Sequence, residues 1–331
     1  MIKLAINGFG RIGRPVLRRI LDKHPNIEVV AINDLTDVAT SAHLLKFDST
    51  YGRYDKEVKV DGQNLVVNGK SIKILTEKDP AKLPWKDLGV DVVLECTGLF
   101  TKIDDAKKHI EAGAKKVVLS APSDSKEIPT FLLGVNAGDY KDEEIISMGS
   151  CTTNCLAPIV KILNDAFGIE NGFMTTVHSY TNDQRILDLP HKDPRRSRAA
   201  AQNIIPTTTG AAKTVAKCIP ELKGKLDGIS LRVPTPVVSI TDFICNLSKP
   251  ATAEEINKLF IDAAKNKLKG ILNTTDESLV SMDFKGDSHS SIVELPLTMV
   301  NDKLVKIVAW YDNEFGYACR LVEMSEHVVK K

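Results

Sequence analysis

The chain contains no apolar run approaching the roughly 18–20 residues that a bilayer-spanning helix needs. It also lacks an excess of either charge. Its 44 Lys and Arg stand against 43 Asp and Glu, for a net charge of +1. A nucleic-acid binder usually carries a clear basic surplus, so no nucleic-acid partner is required. The local cluster Lys192 to Arg198 is short and partly offset by Asp193, which suits a small anion or a subunit contact better than a duplex groove. No leader precedes the first strand pattern, so no signal peptide is expected. Six cysteines fall without framework spacing, the usage of a reducing, cytoplasmic compartment. There is neither a C-x-x-C nor an H-E-x-x-H, so no metal is expected. Internal repeats and low-complexity tracts are absent as well.

What is present is chemistry at two places. At the N-terminus, the buried-strand pattern Leu4 to Asn7 runs into Gly8-Phe9-Gly10-Arg11-Ile12-Gly13. An apolar-periodic helix follows, then a second strand, Glu28 to Ile32, that ends at Asn33-Asp34. A lone G-x-G-x-x-G often marks only a turn. Strand, glycines, helix and a carboxylate about 20 residues on together form the dinucleotide-binding fingerprint. Gly8 permits the tight turn, Gly10 lets backbone approach a pyrophosphate, and Gly13 allows close helix packing. The helix N-terminus then faces the pyrophosphate charge. Asp34 accepts ribose hydroxyls and repels a 2′-phosphate, so NAD is the expected cofactor.

The second place is Ser150-Cys151-Thr152-Thr153-Asn154-Cys155. It lies where the strand-like run Glu144 to Met148 gives way to a helix expected over Leu156 to Phe167. A thiol at a helix N-terminus feels the positive end of the dipole and unpaired N–H groups, and both favour the thiolate. The bland alternative is two buried cysteines at helical spacing.

The 331 residues suggest two domains. The expected class is α/β: a Rossmann-type dinucleotide-binding domain over 1–150, then an α+β catalytic and substrate domain over 151–313 with a mostly antiparallel sheet. A helix over about 314–331 is expected to pack back onto the first. Asp61-Gly62 and Asn68-Gly69 predict hairpin turns within the first domain. Asn33-Asp34, Thr97-Gly98 and Ser120 all follow strands of a parallel sheet, where ligands sit. Thr252-Ala253-Glu254-Glu255 reads as a capping box opening a helix to about Leu268. Thr181 to Ala201 is long, proline-containing and without a period, as in segments used for function or assembly.

A nicotinamide domain followed by a helix-capping cysteine suggests oxidation of an aldehyde. A thiolate adds to the carbonyl, the hemithioacetal expels hydride, and the acyl thioester left behind is open to a second nucleophile. Such a site needs a base. His178, at the end of the strand pattern in Thr175 to Thr181, is the best candidate among seven histidines, although a strand-end histidine is more often structural.

Four segments taken together resemble phosphorylating, NAD-dependent glyceraldehyde-3-phosphate dehydrogenase of the bacterial, glycolytic type: Ala5 to Arg14, Ser150 to Cys155, Thr176 to Thr181, and Trp310-Tyr311-Asp312-Asn313-Glu314. The resemblance runs in order over essentially the whole chain. It implies Cys151 as nucleophile and His178 as its activator. It implies cofactor contacts at Gly8, Gly10, Arg11, Ile12, Gly13, Asp34, Lys78, Ser120 and Asn313. Thr181 and Arg232 resemble the site for the substrate's phosphate. Ser150, Thr152, Thr209 and Gly210 resemble that for inorganic phosphate, with Arg198 as the loop arginine serving it. A homotetramer is implied, with the Thr181 to Ala201 segment at a subunit contact. Departures from the family pattern include Gly149, the 123–129 loop, Val238 and Phe315. The alternatives are an erythrose-4-phosphate dehydrogenase and a non-catalytic nucleotide-binding relative.

Overall fold

The computed structural model describes residues 1–330; the expected helix end at Lys331 lies outside them. The chain divides into two compact units. The first comprises Met1–Phe131, Asp139–Gly149 and Ala318–Lys331, the second Leu132–Gly138 and Ser150–Tyr317.

The first unit is built on an eight-stranded sheet. From one edge its strands run Ile145–Ser147, Lys116–Leu119, Val92–Glu95, Ile2–Asn7, Ile27–Asn33 and Lys70–Leu75, each parallel to the next. Strands buried on both faces need continuous apolar runs, and Leu4, Ala5, Ile6, Val92, Val93, Leu94, Val117, Val118 and Leu119 are all fully buried. Asn64–Val67 and Val58–Asp61 extend the sheet as antiparallel strands. The hairpin between Asn64–Val67 and Lys70–Leu75 turns at Asn68 and Gly69, both with positive φ, as an Asn-Gly turn requires. The Phe315–Lys330 helix contributes to this unit from Ala318 on. There Glu326 meets His24 Nδ1 at 3.0 Å and Tyr140 OH donates to the Val328 carbonyl.

The second unit carries another eight-stranded sheet, in which two of seven pairings are parallel: Ile169–Ser179 with Leu226–Val233, and Leu272–Thr275 with Ser291–Glu294. The strand Ile169–Ser179 lies between Leu226–Val233 and Ser239–Leu247. One sheet face buries Met174, Phe243, Cys245 and Ile307 against the helices Cys151–Phe167, Ala211–Cys218 and Ala253–Lys265. The alternate residues Phe173, Ile229 and Ile244 stand exposed on the other face, as the period of two dictates.

Three differences from the sequence reading have local causes. The helix expected from Leu156 starts at Cys151, because Ser150 and Thr153 cap it reciprocally. The helix after Thr252 has the expected capping box but ends at Lys265, where Asn266 leaves helical geometry and Leu268 N–H turns back to the Ala263 carbonyl. Val38–Lys46 is a helix with no sequence-level expectation; Asp37 caps it by accepting from Thr40 N–H.

Candidate active site

The glycines after the first strand do what their spacing requires. Gly8 has φ +95°, and a Cβ there would lie 2.7 Å from the Thr97 nitrogen. A Cβ on Gly13 would sit 2.2 Å from the Gly8 carbonyl oxygen, while one on Gly10 would meet nothing within 4 Å. Two glycines thus permit close packing and the third leaves backbone open to a ligand. A cavity of about 520 Å³ opens beside them, lined by Gly8, Gly10, Asp34, Lys78 and Thr97 among others. Asp34 is held by two backbone donors, Phe9 N–H to Oδ2 at 2.7 Å and Thr36 N–H to Oδ1 at 2.9 Å. Arg11 pairs with Asp48 at 2.7 Å, and Ile12 is the N-cap of the Gly13–Lys23 helix. Ser120 hydrogen-bonds the Cys96 thiol, which burial pushes well above the usual thiol range. A cleft with a close-approach glycine, a helix start and a fixed carboxylate fits a dinucleotide.

The second constellation lies in the other unit. Cys151 is the first residue of its helix, and its Sγ is 3.5 Å from His178 Nε2. His178 reaches this point from the next-to-last position of its strand. Parallel register sets it opposite Arg232.

The ring's Nδ1 has two neighbours with opposite demands. The Ser179 carbonyl, at 2.7 Å, can only accept, and Arg232 Nη1, at 2.9 Å, can only donate. Arg232 Nη1 also lies 3.1 Å from that carbonyl. A carbonyl has two lone pairs, so Ser179 O can take both Nδ1–H and Nη1–H, and that tautomer leaves the Nε2 lone pair facing the Cys151 thiol. In the other, Nδ1 accepts from Arg232 Nη1 and Nε2 carries the proton.

The electrostatics follow from burial. Desolvation, and then the Arg232 charge, push His178 down to about 3. Desolvation also raises the Cys151 thiol, opposed chiefly by Arg232. Burial thus opposes charge on both groups, while Arg232 and the donors at the helix start favour the thiolate.

Supporting contacts fix the pair. Tyr311 OH bridges Thr152 Oγ1 and Thr176 Oγ1, each at 2.8 Å, and packs edge-on to the His178 ring. Ser179 N–H donates to Ser239 Oγ, which donates in turn to Asn313 Oδ1. Asn313 is thus tied to the residue after His178. Val238 lies beside this chain with φ +68°, strained for a β-branched residue; its carbonyl accepts from Ser179 Oγ at 2.6 Å.

Other expected residues lie apart from this pair. Thr181 N–H donates to Gln184 Oε1, and Thr209 Oγ1 accepts from Ala211 N–H just before the helix that Gly210 caps. Arg198 is not brought to the thiol: it is largely exposed and pairs with Asp188. The loop arginine felt at both His178 and Arg232 is Arg196, which is mostly buried and paired with Asp183. Tyr311, Arg196 and Gln184 are contributors that motif spacing did not single out. Among the described residues, no group of His, Cys, Asp and Glu could hold a metal ion.

Comparison with known proteins gives matches over both units. The family described as glyceraldehyde 3-phosphate dehydrogenase, NAD binding domain, matches residues 2–103. The family described as glyceraldehyde 3-phosphate dehydrogenase, C-terminal domain, matches residues 150–313. The glyceraldehyde-3-phosphate dehydrogenase of Geobacillus stearothermophilus is 58% identical, covering 100% of this chain and 99% of its own. Glyceraldehyde-3-phosphate dehydrogenase 1 of Bacillus subtilis is 56% identical with the same coverage. The chloroplastic glyceraldehyde-3-phosphate dehydrogenase A of Chlamydomonas reinhardtii is 54% identical over 100% of this chain and 89% of its own.

Proposed function

Because the chain belongs to the glyceraldehyde 3-phosphate dehydrogenase family, we propose that Cys151 and His178 carry that family's reaction here. The reaction is the NAD-dependent oxidation of D-glyceraldehyde 3-phosphate, with inorganic phosphate, to 1,3-bisphosphoglycerate. The chain is an NAD-dependent oxidoreductase of glycolysis. The observation that carries the assignment of roles is the Cys151 thiol at a helix N-terminus, 3.5 Å from His178 Nε2. Residues 1–150 serve as the NAD-binding domain and 151–313 as the catalytic domain.

His178 Nε2 takes the thiol proton as Sγ bonds to the aldehyde carbon. The new alkoxide sits against the protonated Nε2 and the Cys151 N–H, donors of the kind that stabilise an oxyanion. When bound, NAD supplies the hydride acceptor. Gly8, Gly10, Arg11, Ile12, Gly13, Asp34, Lys78, Ser120 and Asn313 would hold it. Loss of hydride from the alkoxide leaves an acyl thioester on Cys151. A phosphate oxygen attacks the acyl carbon, the C–S bond breaks, and the thiolate returns.

Two anions have to be held. Thr181 and Arg232 take the substrate's phosphate. Ser150, Thr152, Thr209 and Gly210 take the attacking phosphate, with Arg196 in the role first expected of Arg198. Arg232 Nε, Gln184 Nε2, Thr207 Oγ1 and Ser230 Oγ are buried without a partner among the described residues. Groups left so are rare without a reason, and an anion on Arg232 gives one.

The chain acts as a cytoplasmic homotetramer. Phe173 is 73% exposed on the open sheet face beside Ile229 and Ile244, and Ile186 is 84% exposed in the 181–201 segment. Apolar groups bared on a sheet face and a long loop mark an association surface. Phe173→Asp should lower the mass seen by light scattering, and a stable, fully active monomer in the unaltered protein would refute the assembly. No helix among the described residues is long and apolar enough to cross a membrane. The six cysteines are free, which suits a reducing compartment.

Absorbance at the reduced-nicotinamide band, with aldehyde, NAD and phosphate omitted one at a time, tests the function. Steady turnover must need all three. Equal kcat/KM for erythrose 4-phosphate would shift the substrate assignment.

A further inference from the structure

Beneath the dinucleotide cleft lies a chain of buried polar side chains that the reaction does not use. Trp85, His109, Glu95, Asn7 and Asn33 are each 5% exposed or less. Trp85 Nε1–H donates to His109 Nδ1 at 3.0 Å. An indole nitrogen only donates, so the ring's proton sits on Nε2, which faces Glu95 Oε2 at 3.1 Å. The same oxygen accepts from Asn7 Nδ2 at 2.5 Å. Glu95 Oε1 accepts from the Thr97 N–H at 2.7 Å and from the Thr97 hydroxyl. Asn7 Oδ1 accepts from Asn33 Nδ2 at 2.7 Å. Asn33 then clasps the backbone of Glu77, taking its N–H at 2.8 Å and donating to its carbonyl at 2.9 Å.

Every donor on this path meets an acceptor, and the direction is fixed by Glu95, which only accepts. The chain crosses five elements: the Trp85–Leu88 and Ile103–Glu111 helices and the strands Val92–Glu95, Ile2–Asn7 and Ile27–Asn33. Asn7, Asn33, Glu77 and Thr97 line the cleft, while Trp85 and His109 do not. Asp34 and Lys78 are the immediate neighbours of Asn33 and Glu77.

We propose that Glu95 is the positioning residue of the NAD cleft: it anchors Thr97 on one side and the Asn7–Asn33–Glu77 arm on the other, and so sets where Asp34 and Lys78 meet the dinucleotide. This rests on the reading of the cleft as the NAD site. Burial of a carboxylate on this scale is costly unless every lone pair it offers is used, and here four donors converge on it. Asp34 has its own backbone donors, but those donors belong to loops that need a fixed base. Preorganisation of this kind appears as affinity, because a loop already ordered loses less on binding.

The substitution Glu95→Gln turns one oxygen into an NH₂ that faces a donor whichever way the amide is placed. NAD affinity of the folded holoenzyme, read by titration calorimetry on enzyme stripped of nucleotide and retitrated, should fall roughly five- to thirtyfold. The KM for NAD should rise more than kcat falls. His109 does not itself line the cleft, though its ring packs edge-on to Phe100, which does. Leu and Gln both keep bulk against Phe100, so comparing the two separates the hydrogen bond to Glu95 from that packing. His109→Leu removes the donor to Glu95 and should weaken NAD. His109→Gln keeps an N–H for Glu95 and an oxygen for Trp85, and should return most of the affinity. The pair also decides the matter should Glu95→Gln not fold. NAD affinity equal to the unaltered protein in folded Glu95→Gln or His109→Leu would overturn the proposal, as would equal loss in His109→Leu and His109→Gln. Failure of the unaltered protein to bind NAD would instead overturn the reading of the cleft.

Discussion

Replacing His178 with Asn removes the imidazole that lies 3.5 Å from the Cys151 thiol while keeping a polar group of similar breadth. The cost is set by where the thiol sits. Burial raises the Cys151 thiol above its ordinary range, and the main opposing influence is the Arg232 charge. Without Nε2 at 3.5 Å, the thiol proton keeps only the weakly basic Thr152 hydroxyl at 4.0 Å, and the alkoxide loses a donor. A lost acid–base group slows its step about 10²–10⁴-fold, or about 2.7–5.5 kcal/mol in barrier. Two measurements read this. Stopped-flow formation of reduced nicotinamide gives the acylation rate. Alkylation of Cys151 by iodoacetamide, followed by mass across about pH 5 to 10, gives the titration of the thiol. The His178→Asn curve should move to higher pH, and Cys155 should stay unmodified in both proteins, since burial pushes that thiol up to about 12. Arg232→Leu supplies a contrast: it should also move the thiol up, while relieving the depression of His178 that the guanidinium causes. An alkylation profile unchanged by His178→Asn would refute the reasoning, because the ring would then not share the thiol's surroundings.

The other expectations are narrower. Cys155→Ser should lower thermal stability by about 1 kcal/mol for a buried thiol while leaving kcat within a small factor, since Thr241 and Ser291 lie within 3.5 Å of the sulfur and can accept a hydroxyl; loss of turnover would point to Cys155 as a reacting group. Asp34→Ala should raise kcat/KM for NADP relative to NAD by about tenfold or more, since the carboxylate that repels a 2′-phosphate is gone, and a ratio near one in the unaltered protein would show that Asp34 does not face the ribose. The folded His178 is held down to about 3, below the ordinary 6.5 or so of the unfolded ring, so the unfolded state takes up the proton first as pH falls. The full contribution to stability is present above about pH 6.5 and is lost progressively towards pH 3, on the order of 2 kcal/mol by pH 5. Urea midpoints at pH 7 and 5 should therefore diverge more for the unaltered protein than for His178→Asn, and equal divergence would remove His178 as the source.

Local signals carried the dinucleotide cleft and the thiol, because each depends on a few adjacent residues. Gly8, Gly10 and Gly13 need only a strand before them and a helix after. Ser150 and Thr153 cap the helix that presents Cys151, although the helix start was expected at Leu156, since β-branched threonines at 152 and 153 weaken the helical pattern. Sheet register is a different matter. Nothing in the run Leu226 to Val233 announces that Arg232 lies opposite His178, or that Tyr311 reaches Thr152 and Thr176. Arg195, Arg196 and Arg198 crowd a loop without a period, so the choice of Arg198 came from resemblance alone. The pairing of Arg198 with Asp188 and of Arg196 with Asp183 separates the two. Glu95 and His109 read as a strand end and a helical histidine; only the parallel order of strands joins them to Asn7 and Asn33.

The central claim is that the oxidation passes through an acyl group on Cys151. Mixing enzyme, NAD and glyceraldehyde 3-phosphate without phosphate in a stopped-flow cell, with the quenched protein weighed intact and after digestion, tests it most directly. The account predicts a burst of reduced nicotinamide approaching one per chain, an added glyceryl phosphate mass confined to the peptide bearing Cys151, resumption of turnover when phosphate is added, and neither burst nor mass in Cys151→Ser. A full burst in Cys151→Ser, or an acyl mass on any other residue, would contradict it.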